Sequence, residues 1–175
     1  MVRGSCLCGG VRFEIQKPAG PFEFCHCNRC RKVTGSAFYP GIYVNRADFR
    51  LVQGEELVKY FEAPILRSPP PYRSCFCGQC GSPIPDLKRE SEQIEVPAGL
   101  LDDEPAVRPD KHIFVEFRAK WFQITDDLPQ LDRAELIKCR EATMKKIVSS
   151  QPDEAIHEIV HRETRAWDTL DVELC

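Results

Sequence analysis

"FCHCNRC", Phe24 to Cys30, places three cysteines and a histidine within seven positions, and "SCFCGQC", Ser74 to Cys80, repeats the C-x-C-x-x-C spacing. A third pair, Cys6 and Cys8, stands in "CLCGG". Eight of the ten cysteines therefore lie before residue 81, all in short clusters. Cysteines this close in the chain face one ion rather than each other, and clustering of this kind reads as metal binding more than as a disulfide framework. Structural zinc takes four ligands, typically as two short pairs from separate loops, and glycines beside the pairs let backbone amides turn toward thiolates. The spacing allows two closed four-cysteine sites. It equally allows one closed site and one three-cysteine site with a position left open. The residues alone do not separate these.

The rest of the composition sets the frame. A chain of 175 residues with 42% hydrophobic residues is long enough for one domain with a real core, with room for an appendage. No apolar run approaches the ~18 residues of a membrane span, and "MVRGSCLCGG" lacks the apolar segment of a secretion signal. A soluble, cytoplasmic protein without a membrane partner is the expectation. Net charge is -3 and basic residues form no stripe, which disfavours nucleic acid as a partner.

Up to about residue 130 the chain reads as short strands between turns, a mainly β fold. "VRFEI" (11–15) alternates apolar and polar residues; "AFYPGIYV", "FRLVQG" and "LVKYFEA" follow, rich in aromatic and β-branched residues. The prolines of "RSPPPYRSC" force an extended approach to the second cysteine cluster. "EQIEVPAG" and "HIFVEF" read as strands around the loop "DDEPAVRPD", and "AKWFQI" is expected to close the sheet. From residue 131 onward the pattern turns helical. Asp132 is a plausible cap for a helix carrying Leu136, Ile137, Met144, Ile147 and Val148. A second helix is expected over Ile156, Ile159, Val160, Trp167 and Leu170. This extension, 131–175, is expected to pack on the strand domain, 1–130, with a homo-oligomer interface as the alternative.

Five motifs in order carry a family resemblance: "GSCLCGGVRF", "CHCNRCRKVTGSAF", "FCGQCGSPI", "AGLLDDEP" and "AKWFQITDDLPQ". The chain resembles the glutathione-dependent formaldehyde-activating enzyme family, which also includes the centromere protein V group. The resemblance implies a zinc-bearing β-tent of short antiparallel sheets. It implies that Cys6, Cys8, Cys77 and Cys80 hold a structural zinc. Cys25, Cys27 and Cys30 would hold a catalytic zinc with its fourth position open, and Cys75 would be a spare. The implied reaction is reversible addition of glutathione to formaldehyde, a carbon–sulfur lyase in the reverse direction, with another small thiol or carbonyl compound as an alternative substrate. A non-catalytic zinc module that binds protein partners is the competing class.

A thiol of pKa ~8.5 is only a few per cent ionised near pH 7, so a metal that holds it as thiolate gains roughly tenfold in the reactive form. The larger gain has to come from holding thiol and aldehyde together. Arg31 suits a substrate carboxylate, which its fork can pair bidentately. Thr34 is a second substrate-binding candidate, although "TGSAF" equally suits a turn. His26 and His112 are expected in packing or hydrogen-bonding roles, and Trp121 in the core. His157 and His161 fit a solvated helix face better than a metal, and Cys139 and Cys175 lie outside every motif.

Overall fold

Ile42 and Val44 flank Tyr43 in one strand, and Ile94 and Val96 flank Glu95 in another. The four aliphatic side chains are buried, so the period-two pleat turns Tyr43 and Glu95 to the opposite face. That two-sidedness organises the molecule. The computed structural model describes residues 1–18, 20–62 and 72–150.

Three sheets share one core. The first orders β1 (Val2–Ser5), β2 (Arg12–Ile15) and β5 (Phe49–Gln53), all antiparallel. The second, of five strands, contains β3 (Phe22–Cys25), β4 (Tyr39–Asn45), β8 (Gln93–Pro97), β9 (Lys111–Ile113) and β10 (Gln130–Leu131). Its order is β10-β9-β3-β4-β8; β4 runs antiparallel to β3 and β8, whereas β9 is parallel to both β3 and β10. The third is the antiparallel pair β6 (Val58–Glu62) and β7 (Arg73–Cys77). Phe13 and Ile15, Phe22, Ile42, Val44, Ile94 and Val96, and Val58, Cys75 and Cys77 meet in the cluster between these sheets.

Two strands were not among those expected. In β1, Gly4 occupies an inward position because the Phe13 ring fills the place of its side chain; a Cβ there would lie 2.2 Å from Phe13 Cζ. The "FEFC" of β3 is a strand hidden in the cysteine motif. Phe22 and Phe24 belong to the core between sheets, while Glu23 and Cys25 take the far face.

One expected strand is absent. "AKWFQI" does not close the sheet: Phe114 adopts φ 56 and turns the chain out of β9. A 3-10 turn follows over Val115–Phe117, and the Phe122 amide donates to the Ala119 carbonyl (3.0 Å) in a further turn. Trp121, expected in the core, is 74% exposed. The edge is instead completed by β10, so the sheet runs past the expected boundary at residue 130.

Helix α2 (Arg133–Ser150) begins with a reciprocal cap. The Glu135 amide donates to Asp132 Oδ1 (2.8 Å), and the Asp132 amide donates to Glu135 Oε2 (2.9 Å). Leu136 is 2% exposed against Cys25, Ile113 and Phe114, and Arg140 donates to Glu23 Oε2 (3.0 Å). The start of α2 therefore covers the far face of the five-stranded sheet. The second helix expected in the extension, with its oligomer interface, His157, His161 and Cys175, lies outside the described residues.

Candidate metal centre

Two tight turns bring four thiols together. In the first, the Gly9 amide donates to the Cys6 carbonyl (2.8 Å), with Gly9 at φ +70, and the Val11 amide donates to Cys6 Sγ (3.2 Å). In the second, the Gly81 amide donates to the Cys77 carbonyl (2.8 Å) with Gly81 at φ +77, and the Cys77 amide bonds to the Ser82 carbonyl (2.8 Å). The Leu7 amide donates to Ser82 Oγ (3.0 Å) and ties one turn to the other. Sγ of Cys6 and Cys8 lie 3.4 Å apart, those of Cys8 and Cys77 3.9 Å apart, and all four, with Cys80, lie within 4.8 Å of one another. The Ser82 hydroxyl and amide hold the Cys80 thiol down at about 5.

A second group is built from one loop. Strand β3 ends at Cys25, set between Tyr39 of β4 and Ile113 of β9. The chain then turns into the short helix α1 (Asn28–Thr34), whose N-terminus is capped by the Cys27 thiol, accepting from the Cys30 amide at 3.4 Å. Gly35 ends the helix at φ 63. Sγ of Cys25, Cys27 and Cys30 lie within 4.8 Å of one another. Hydrogen bonds from Cys25, Cys30 and the amides of the helix start pull the Cys27 thiol down to about 3. Its neighbours move the other way: the bond to Cys27 raises Cys25, and the bond to Cys25 raises Cys30. Three sulfurs this close form a soft-donor set. Both groups fit a metal that favours sulfur, and zinc in particular.

Cys75 stands outside both groups. It is buried two residues before Cys77 on β7, and burial first, then the nearby Asp86, pushes its thiol up to about 12. The nine described cysteines are all free thiols, and Cys139 is exposed on α2.

Arg31 lies on α1 with Nη2 on Asn28 Oδ1, while its Nε is buried with no hydrogen-bond partner among the described residues. The Thr34 hydroxyl donates to the Cys30 carbonyl (2.8 Å) and contacts Ser36 Oγ (3.0 Å), so it is engaged in the helix end and the turn after it. His26, between two cysteines, is fully buried and points to the core side of the sheet, where it stacks on His112. Its Nε2 is 2.8 Å from His112 Nδ1, and His112 Nε2 donates to Asp126 Oδ1 (3.1 Å). Burial, then the neighbouring His112, pushes His26 down to about 4, leaving it neutral at neutral pH. Asp126 escaped the sequence reading because only the fold brings it to His112.

The far face of the five-stranded sheet holds another group that the motifs do not mark. Tyr39, Tyr43 and Glu95 share it with Cys25, and the Arg29 guanidinium at the start of α1 lies over the Tyr72 ring (5.5 Å). Strict alternation in "QIEVP" was the available signal: with Ile94 and Val96 inward, Glu95 must face outward from the core.

A mainly β protein with a four-thiol group on two turns and a three-thiol group at a strand end has two unequal cysteine sets that could each hold a metal ion. The sequence profile of the glutathione-dependent formaldehyde-activating enzyme matches residues 1–117. A Halomonas elongata protein named "Putative glutathione-dependent formaldehyde-activating enzyme" is 30% identical over 127 residues, covering 71% of this chain and 81% of that one. The chain belongs to the glutathione-dependent formaldehyde-activating enzyme family. Among solved structures, that of a Rhodobacter sphaeroides protein matches with 21% identity and a TM-score of 0.45, over 74% of this chain and 99% of the other. No described helix is long and apolar enough to cross a membrane.

Proposed function

We propose that the protein is a zinc-dependent carbon–sulfur lyase that interconverts S-hydroxymethylglutathione with glutathione and formaldehyde. The observation that carries this reading is the inequality of the two thiol groups: four donors in one, three in the other, with Cys75 held elsewhere. Four thiols complete a structural zinc site, whereas three leave room for a ligand that the protein does not supply. Cys6, Cys8, Cys77 and Cys80 would hold the structural zinc, and Cys25, Cys27 and Cys30 the catalytic one. Zinc, when bound there, supplies a fixed positive charge that favours the ionised form of an incoming thiol.

In the forward direction the sulfur of glutathione bonds to the carbonyl carbon, the C=O π bond breaks, and the thiol proton ends on the new hydroxyl. In reverse, the C–S bond breaks and the proton returns to sulfur. His26 is a poor carrier for that proton, because its ring is buried on the other side of the sheet. Its role, with His112 and Asp126, is to hold the Cys25–Cys27 loop in place. Arg31, whose buried Nε has no hydrogen-bond partner among the described residues, is the group on α1 best suited to a substrate carboxylate. The contribution of Thr34 is to fix the end of α1, and so the position of Cys30.

Exchange NMR on glutathione, formaldehyde and their adduct tests the reading. Zinc-replete protein should accelerate exchange, and the Cys27→Ser variant should stay folded without doing so. No acceleration by the zinc-replete protein would exclude this substrate pair.

A further inference from the structure

Gly41 lies on β4 opposite both Glu23 of β3 and Pro97 of β8. A Cβ on Gly41 would fall 2.3 Å from Glu95 Oε1 and 2.9 Å from Tyr39 Cε1. The Glu95 carboxylate and the Tyr39 ring therefore converge over the bare backbone of this glycine. Tyr43 is the direct cross-strand partner of Glu95.

The two carboxylates on this face are differently provided for. Glu23 is 3% exposed and paired with Arg140 (3.0 Å) and Lys111 (3.4 Å). Glu95 takes no hydrogen bond and no ion pair from any described residue. It is enclosed by protein yet keeps part of its surface open, as a side chain in the wall of a recess does. Arg89 and Arg140 attract it without bonding to it, and Glu23 opposes them. A carboxylate held among tyrosine rings attracts an organic cation, through both its charge and the electron-rich ring faces. From strand spacing and rise, a carboxylate over Gly41 lies on the order of 10 Å from the Cys25 sulfur, which a short peptide thiol can span.

We propose that Glu95, with Tyr39 and Tyr43, forms a recess that binds the ammonium group of an amine-bearing thiol substrate whose sulfur meets the Cys25, Cys27 and Cys30 group. This rests on the thiol–aldehyde reading above and narrows it: the substrate thiol carries a cationic amine, and an acylated amine is discriminated against. Glu95 then acts as a specificity residue, remote from the reacting atoms.

The test is a calorimetric titration of zinc-replete, full-length protein at pH 8 with glutathione and with N-acetylated glutathione. Wild type should prefer the free amine by roughly tenfold, the equivalent of one charge-assisted contact. Glu95→Gln should abolish the preference while binding the acetylated thiol as before. Gly41→Ala, which pushes the carboxylate aside, should do the same; thermal melts check that both variants are folded. A preference that survives in Glu95→Gln, or its absence from wild type, overturns the recess while leaving the lyase reading intact. Failure of wild type to bind either thiol overturns both.

Discussion

Changing Glu95 to glutamine should stabilise the protein at alkaline pH and leave it nearly unchanged at acid pH. Enclosure by protein, and then the nearby Glu23, pushes the Glu95 carboxyl from an ordinary 4.5 up to about 7. A carboxyl that holds its proton more tightly in the folded state favours folding below pH 4.5. That contribution is lost progressively as pH rises to about 7, after which the folded state carries an ill-solvated charge. At about 1.4 kcal/mol for each tenfold in proton affinity, the full swing is about 3 kcal/mol, an upper value because the side chain keeps some exposure. Glutamine has the same shape and no charge to lose. The stability difference between variant and wild type should therefore move in the variant's favour by up to about 3 kcal/mol between pH 4.5 and pH 8, or ~6–12 °C in melting temperature for a chain of this size. Urea denaturation of both zinc-replete proteins at the two pH values measures it, since titration of the cysteines is common to both and cancels. A difference that is the same at both pH values would refute the reasoning and show that Glu95 is ordinarily solvated. A gain at pH 8 would also fit a residue retained for binding at the expense of stability.

Gly54→Ala places a Cβ 2.2 Å from the Gly10 carbonyl oxygen at a backbone with φ +85, so the loop behind Cys8 must shift; a loss of ~2–5 kcal/mol and reduced zinc content are expected by melting and metal analysis. Gly35→Ala, also at positive φ but with nothing within 4 Å, should cost only ~1–2 kcal/mol. Leu136→Ala should destabilise by ~2–5 kcal/mol in urea, because the side chain is 2% exposed between α2 and the sheet; a neutral result would mean that α2 does not dock as described. Cys75→Ser should retain the zinc content of wild type, whereas Cys77→Ser should lose one zinc and unfold or aggregate. A cooperatively melting Cys77→Ser protein with full zinc would refute the grouping.

Local chemistry was readable residue by residue. The alternation in "VRFEI" and "QIEVP" specifies strands, because a pleat puts every second side chain on one face wherever the strand is placed. Asp132 and Glu135 mark the start of α2, because a capping box is closed within four residues. The harder segments were those whose conformation is imposed from a distance. Gly4 is a strand residue only because Phe13 fills its missing side chain, and "AKWFQI" looks like a strand until Phe114 turns the chain away.

The same division runs through the site. Sequence alone determined that there would be three cysteine clusters, each shaped by its own glycines or helix start, because those turns are made of adjacent residues; the prolines of "RSPPPYRSC" lie outside the described residues. The spacing alone left open which clusters meet; the family resemblance implied the grouping, and the tertiary structure makes it. It brings the turn at Cys6 and Cys8 to the one at Cys77 and Cys80, and leaves Cys75 facing Asp86. It also sets Glu95, Tyr39 and Tyr43 on the face that carries Cys25. Such meetings depend on strand order and register between segments tens of residues apart, and no local pattern encodes which loops a sheet will bring side by side.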